Sequence, residues 1–304
     1  MPNYMKQQTL KKEYKFEGKG LHTGAYSRIC IKPAAPGSGI SFISMGKGVE
    51  IPALAENVSN TARCTLLSKD GASVSTVEHL MAAFAGLGID NAIVEVDGPE
   101  IPILDGSARY YAETIVKDGL QVQGAKRRYY EMKESVELRH EPTGSWVLVE
   151  PADHFSIHVT SDFNSRVLGV QKAHWDDSVD FVSQIAVCRT FVFFHDVQHL
   201  VSMGLVKGGD VDNAIVVVER PVAPEVVAEM AEKIGRPGLT VLPSGYLSNI
   251  KLNFPDECGR HKLLDLMGDM MLCGGHIRAR ISAYKPGHTI NTDTAKAVQA
   301  ILSL

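Results

Sequence analysis

His261 and Asp265 stand four residues apart in the segment RHKLLDLMGDM. On a helix of ~3.6 residues per turn that spacing puts them ~40° apart on one face, close enough to grip a single ion. Asp269 carries the same stripe one turn further, and Leu263, Leu266, Met267 and Met270 fall on the opposite side. A solvated polar face is the plain alternative, but Gly268 and Leu272 lie within the stripe and suit close packing better than open water. Upstream, Glu78 and His79 are adjacent. On a helix neighbours point ~100° apart, so if His79 holds a metal, Glu78 can address a water on it. Taken singly, Glu78 also reads as the end of a Ser75–Glu78 capping box, and His79 as a core histidine bonded to backbone. Together His79, His261 and Asp265 supply two imidazoles and a carboxylate. That is the pattern of a catalytic zinc, which keeps its fourth position for water. Iron(II) suits the same ligand types. No HExxH occurs, so such a site must be assembled from distant segments.

His288, in YKPGHTIN, reads as a loop residue after the last strand. A free histidine titrates near ~6.5, and Asp269 could pair with this one and hold it protonated. A surface histidine after a Pro-Gly turn is the alternative. Thr190 in CRTFVFFHDV borders four consecutive apolar residues. These form either a buried strand or an apolar wall carrying one hydroxyl. LVKGGDVDNAIVV gives a Gly-rich turn into a strand, but neither GxGxxG nor GxxxxGK[ST] is present, which excludes phosphate loops of those types. The five cysteines are scattered with no CxxC, against a disulfide framework or a cysteine zinc site.

These groups need elements to hold them. Val77, Leu80, Met81 and Phe84 make one face of a helix that starts near Ser75 and stops at Gly86 or Gly88. Short strands are expected at 13–18, 28–32 and 39–44, then at 91–96, with a helix at 108–117. The basic stretch Lys126–Arg128 reads as a seam. Strands follow at 129–138, 146–150, 155–160 and 214–218, a helix at 221–235, the helix of His261, and a strand at 277–284. EHLMAAFAGLGIDNAIVEVDGPE and RHKLLDLMGDMMLCGGHIRARISAYKPGH share one layout of histidine, apolar helix, glycines, strand and Pro-containing loop. Two copies of one α+β unit account for 304 residues. With 44% hydrophobic and 22% charged residues the chain is globular in type. A net charge of −4 argues against nucleic acid as a partner. No apolar run is long enough for a membrane helix, and MPNYMKQQTLKKEYKF lacks the core of a secretory signal, which points to the cytoplasm.

TLKKEYKFEGKGLHTG, STVEHLMAAFAGLGIDNAIVEVDGPEIPILDGSA, CRTF, GGDVDNAIVV, RHKLLDLMGDM and YKPGHTIN occur in one order. By these motifs the chain closely resembles the UDP-3-O-acyl-N-acetylglucosamine deacetylases, zinc amidases of lipid A biosynthesis, from about Thr9 to His288. The resemblance implies an α+β fold of two similar repeats, 1–126 and 127–304. Each would be a small sheet with helices, packed through the helix layers into a β-α-α-β sandwich with the site at the junction. It implies zinc on His79, His261 and Asp265, Glu78 as general base, and His288 as acid or oxyanion-stabilising group oriented by Asp269. It implies Thr190 beside the reacting carbonyl and Lys262 toward the diphosphate. Leu21 and His22 would lie near the sugar, and Asp162 and Phe163 at the uridine. Phe191, Phe193, Gly209 and Val211 would line an acyl passage. The substrate is then a UDP-acyl-sugar, and the chain is taken as monomeric.

The stretch 221–259 is longer than in the shorter members and resembles the version fused to a dehydratase domain. Lys207 stands where some members have an apolar residue. Two rivals stay open: a metal-stabilised scaffold or binding protein, and an enzyme of the same fold acting on another N-acyl substrate.

Overall fold

The structure, a computed structural model, describes residues 6–127, 129–202 and 212–302. Their arrangement is mixed α+β, with helices α1 (Glu78–Leu87), α2 (Arg109–Asp118), α3 (Phe181–Gln184), α4 (Phe194–Ser202), α5 (Pro224–Lys233), α6 (Glu257–Met270) and α7 (His288–Leu302). One sheet runs, edge to edge, through Tyr14–Lys19, Tyr26–Pro33, Ala92–Asp97, Ile40–Ser44 and Val49–Pro52. Its third pairing is parallel and the others antiparallel. A second runs through Val136–His140, Ser145–Pro151, Ile277–Tyr284, Ser156–Asp162 and Val170–Asp176. It repeats the same sequence of directions. Side chains alternate between the faces of a strand, so Ile277–Tyr284 buries Ile277, Ala279, Ile281 and Ala283 on one face.

The helices α1 and α6 meet back to back. Seven consecutive residues of α1, Glu78–Phe84, are buried. So is all of α6 except Arg260 and Lys262. The two backbones come so near that a Cβ at Gly268 would collide with the Glu78 carbonyl oxygen and lie 3.0 Å from the Ala82 nitrogen. The stripe of His261, Asp265 and Asp269 is thus interior, and the solvated-face alternative is overturned. The first helix ends as expected at Gly88, whose φ of 71° lies in the left-handed region open to glycine.

Several expectations need correction. Ser75 ends the strand Ala72–Ser75, Val77 caps α1 without a side-chain bond, and no capping box forms. The Glu78 carboxylate instead accepts from Thr65 N–H. The strand at 129–138 divides into Tyr130–Glu131 and Val136–His140. The apolar run at Thr190 is a strand only over Phe191–Phe193, and α4 begins at Phe194. His288 opens α7 and is not a loop residue. At the expected seam, Lys126 closes the strand Leu120–Lys126, paired with Lys6–Leu10. Arg127 beside it is buried in an ion pair with Asp90 at 2.7 Å. Lys207, Gly209 and Val211 lie outside the described residues. The described cysteines are all free.

Candidate metal centre and active site

The first turn of α1 and the middle of α6 bring His79, His261 and Asp265 together. One ligating atom from each lies within 4.8 Å of the others. His261 Nε2 is 3.3 Å and His79 Nε2 3.7 Å from Asp265 Oδ1. The two rings meet edge to face at 4.9 Å. His261 Nδ1–H donates to the Cys188 carbonyl at 3.0 Å, which turns the bare Nε2 lone pair toward the centre. Burial first, and His261 second, lower the His79 pKa to about 3. Burial likewise lowers that of His261 against the pull of Asp265. Both shifts favour the neutral imidazole, the form that ligates a metal. Burial would raise the Asp265 pKa, yet His261 and Lys262 hold it well below the carboxylate range. Its Oδ2 accepts from Lys262 Nζ at 2.8 Å. Its Oδ1 is buried with no hydrogen-bond partner. A buried, unpaired carboxylate oxygen is costly, and a cation between the three ligands removes that cost. The donor set fits a divalent ion of zinc type.

A second cluster adjoins the first. Glu78 Oε2 accepts from Thr65 N–H at 3.0 Å, and Oε1 stands 3.9 Å from His288 Nε2. His288 Nδ1–H donates to Asp269 Oδ2 at 2.9 Å. Asn291 Nδ2 donates to the same oxygen at 2.9 Å, and the Thr65 hydroxyl donates to Asp269 Oδ1 at 2.6 Å. Burial pushes the Glu78 pKa up to about 7; His288 opposes this and Asp269 adds to it. For His288, burial acts downward, but the charge and hydrogen bond of Asp269, with Glu78 and Asp265, carry its pKa up to about 9. A carboxyl group that titrates near neutrality stands beside an imidazolium that persists above it. That pairing suits general acid–base work.

Around this centre, Lys262 Nζ lies 5.6 Å from the Phe191 ring centroid, and Phe191 meets the His261 ring at 6.4 Å. Phe163 and Phe193 pack edge-on to Phe191 at 5.2 and 6.4 Å. Thr190 is held by backbone bonds: its N–H donates to the Gly106 carbonyl at 2.7 Å, and its carbonyl accepts from Ile215 N–H at 2.8 Å. Asp162 accepts from the Tyr284 hydroxyl at 2.9 Å. Leu21 is partly buried. His22 donates its backbone N–H to Glu100 Oε1 at 3.0 Å, and its ring Nε2 is buried without a hydrogen-bond partner. Residue patterns passed over Thr65, Asn291, Glu100 and the Cys188 carbonyl. Glu100, fully buried, also accepts from Thr23 and Thr76 and so fixes the Leu21–His22 loop. The fourfold spacing that exposed His261 and Asp265 has no counterpart for these residues.

The sequence profile of the UDP-3-O-acyl N-acetylglycosamine deacetylase family matches residues 7–232 and 239–300. The bifunctional enzyme LpxC/FabZ of Bacteroides thetaiotaomicron is 43% identical over 99% of this chain and 66% of its own length. Its counterpart in Porphyromonas gingivalis is 43% identical over 97% of this chain and 64% of that protein. The chain thus spans about two thirds of the length of these bifunctional relatives. The UDP-3-O-acyl-N-acetylglucosamine deacetylase of Myxococcus xanthus is 40% identical over 98% of this chain and 88% of its own length.

Proposed function

The chain belongs to the UDP-3-O-acyl N-acetylglycosamine deacetylase family, and on that premise we propose that it hydrolyses the acetamide of UDP-3-O-acyl-N-acetylglucosamine to acetate and UDP-3-O-acyl-glucosamine, in lipid A biosynthesis. The observation that carries this function is the buried ligand trio, with its unpaired carboxylate oxygen, beside the Glu78–His288 pair. His79, His261 and Asp265 hold the metal, zinc by donor type, with iron(II) the other ion this set accepts. When bound, the ion supplies a Lewis acid for the carbonyl and eases deprotonation of water.

The protein's own groups do the rest. Glu78 takes the proton of the attacking water as its oxygen bonds to the acetamide carbon. The carbonyl electron pair moves onto oxygen, where cationic His288 and the Thr190 hydroxyl meet the charge. Asp269 holds the His288 ring in place. The C–N bond then breaks, and the amine leaves with a proton returned from the Glu78–His288 pair. Lys262 faces the diphosphate, Leu21 and His22 the sugar, and Asp162 and Phe163 the uridine. Phe191 and Phe193 cover the acyl chain.

The same proposal includes two repeats, 1–126 and 127–304, joined as a β-α-α-β sandwich. The matching strand order of the two sheets and the α1–α6 contact support it. Among the described residues no helix is long and apolar enough to cross a membrane. A cytoplasmic, monomeric state belongs to the proposal and is tested by cell fractionation and light scattering. The function itself is tested by acetate release from the UDP-acyl-sugar with metal content measured in parallel. Release that stops on chelation and returns with zinc is expected. A zinc-loaded protein that releases no acetate overturns it.

A further inference from the structure

Three groups with proposed chemical roles sit on three helices: Glu78 on α1, Asp269 on α6 and His288 on α7. One residue from outside those helices touches all three. Thr65 precedes the strand Leu66–Lys69 and is fully buried. Its N–H donates to Glu78 Oε2 at 3.0 Å. Its hydroxyl donates to Asp269 Oδ1 at 2.6 Å and lies 3.4 Å from His288 Nδ1. Its carbonyl accepts from Val77 N–H at 3.4 Å, which ties it to the start of α1. Two residues earlier, Arg63 holds a φ of 69°, a left-handed conformation that a non-glycine residue keeps only where its surroundings enforce it.

The division of acceptor oxygens follows from these bonds. Thr65 N–H occupies Glu78 Oε2, and Oε1 is the oxygen turned toward His288. The Thr65 hydroxyl occupies Asp269 Oδ1, and Oδ2 is given to His288 and Asn291. The geometry points to Thr65 as a positioning residue that sets Glu78 and the Asp269–His288 pair in register from one fixed point. It touches neither a metal ligand nor, on the proposed pose, the reacting atoms. It acts through the orientation of the groups that do, and it rests on the deacetylase function above.

The test uses zinc-loaded enzyme with Thr65→Val, which keeps the shape and backbone N–H but removes the hydroxyl, and Thr65→Ser, which restores the hydroxyl. Thr65→Ala stands in if the valine variant does not accumulate folded. A misplaced catalytic group costs up to about a hundredfold in rate, so a kcat about ten- to a hundredfold lower is expected for valine. KM and zinc content should match wild type, and serine should recover most of the rate. NMR of the metal-free protein provides the readout that needs no turnover. The His288 ring resonances and their titration midpoint should move in the valine variant and return in the serine variant. A valine variant with wild-type kcat and unmoved His288 signals overturns the assignment. So does a serine variant as slow as valine, or a loss carried by KM or zinc content. If the wild-type protein releases no acetate while the His288 signals still move, the deacetylase function fails and the positioning role stands.

Discussion

The two carboxylate oxygens of Glu78 face different neighbours. Its carboxylate is tied by one oxygen to a backbone N–H and turns the other toward His288. Glu78→Gln should therefore leave zinc content unchanged and lower kcat by ~10²–10⁴, the range for a general acid–base group. Elemental analysis and turnover on the same sample check both halves of that statement. The pH profile follows from the two shifted groups. On the proposed mechanism Glu78 must lose its proton, which happens above about 7 in the metal-free site and lower once a cation favours the carboxylate. The same mechanism needs His288 to keep its proton, which it does below about 9. kcat/KM should rise, level off and fall on the alkaline side near 9. Asp269→Asn removes the charge that raises His288, so its alkaline limb should move to lower pH. A limb that stays in place would detach it from this pair. Spacing made His261 and Asp265 legible, because an i, i+4 pair announces a shared helix face. Thr65 was not legible. Its partner Asp269 is 204 positions away in the chain, and no local pattern records such a contact.

At the scale of elements, the approach of α1 to α6 sets the distance between His79 and the His261–Asp265 pair opposite. Gly268 permits that approach, and its Cβ position is occupied by the Glu78 carbonyl oxygen. Gly268→Ala should destabilise the fold by about 1–3 kcal/mol, the usual cost of overpacking, and lower zinc affinity as the helices part. Thermal melting and a competitive zinc titration measure the two effects. Unchanged melting would mean that the helices slide apart freely. Both helices and the strand Ile277–Tyr284 were readable from apolar periodicity. The strand Val170–Asp176 was not, because its buried face includes Gln171, whose Oε1 accepts from Gly259 N–H at 2.6 Å. A polar inward residue blurs the alternation that marks a strand. The start of α7 was hidden for another reason. It follows Pro-Gly, and its threonines, two of them bonded back to the preceding turn at Thr292 and Thr294, are weak helix formers.

Across the whole molecule, Arg127 fastens the link between the sheets to the end of α1. It bonds Asp90 through Nε and Nη2 and also reaches the Gly88 carbonyl. Arg127→Met would leave Asp90 without its buried partner and should cost about 3–5 kcal/mol of stability, read from denaturant unfolding. Turnover per folded molecule should change little, since the pair lies away from the reacting groups. The ligand trio has a consequence for how the protein is made. His79 leaves the ribosome well before His261 and Asp265, and a lone imidazole grips a divalent ion feebly. If the proposed metal site holds, the growing chain is indifferent to metal until the second pair of ligands has been synthesised and docked. Ribosome-stalled chains that stop short of His261 should carry no zinc, whereas folded chains that include His261 and Asp265 should carry one ion each.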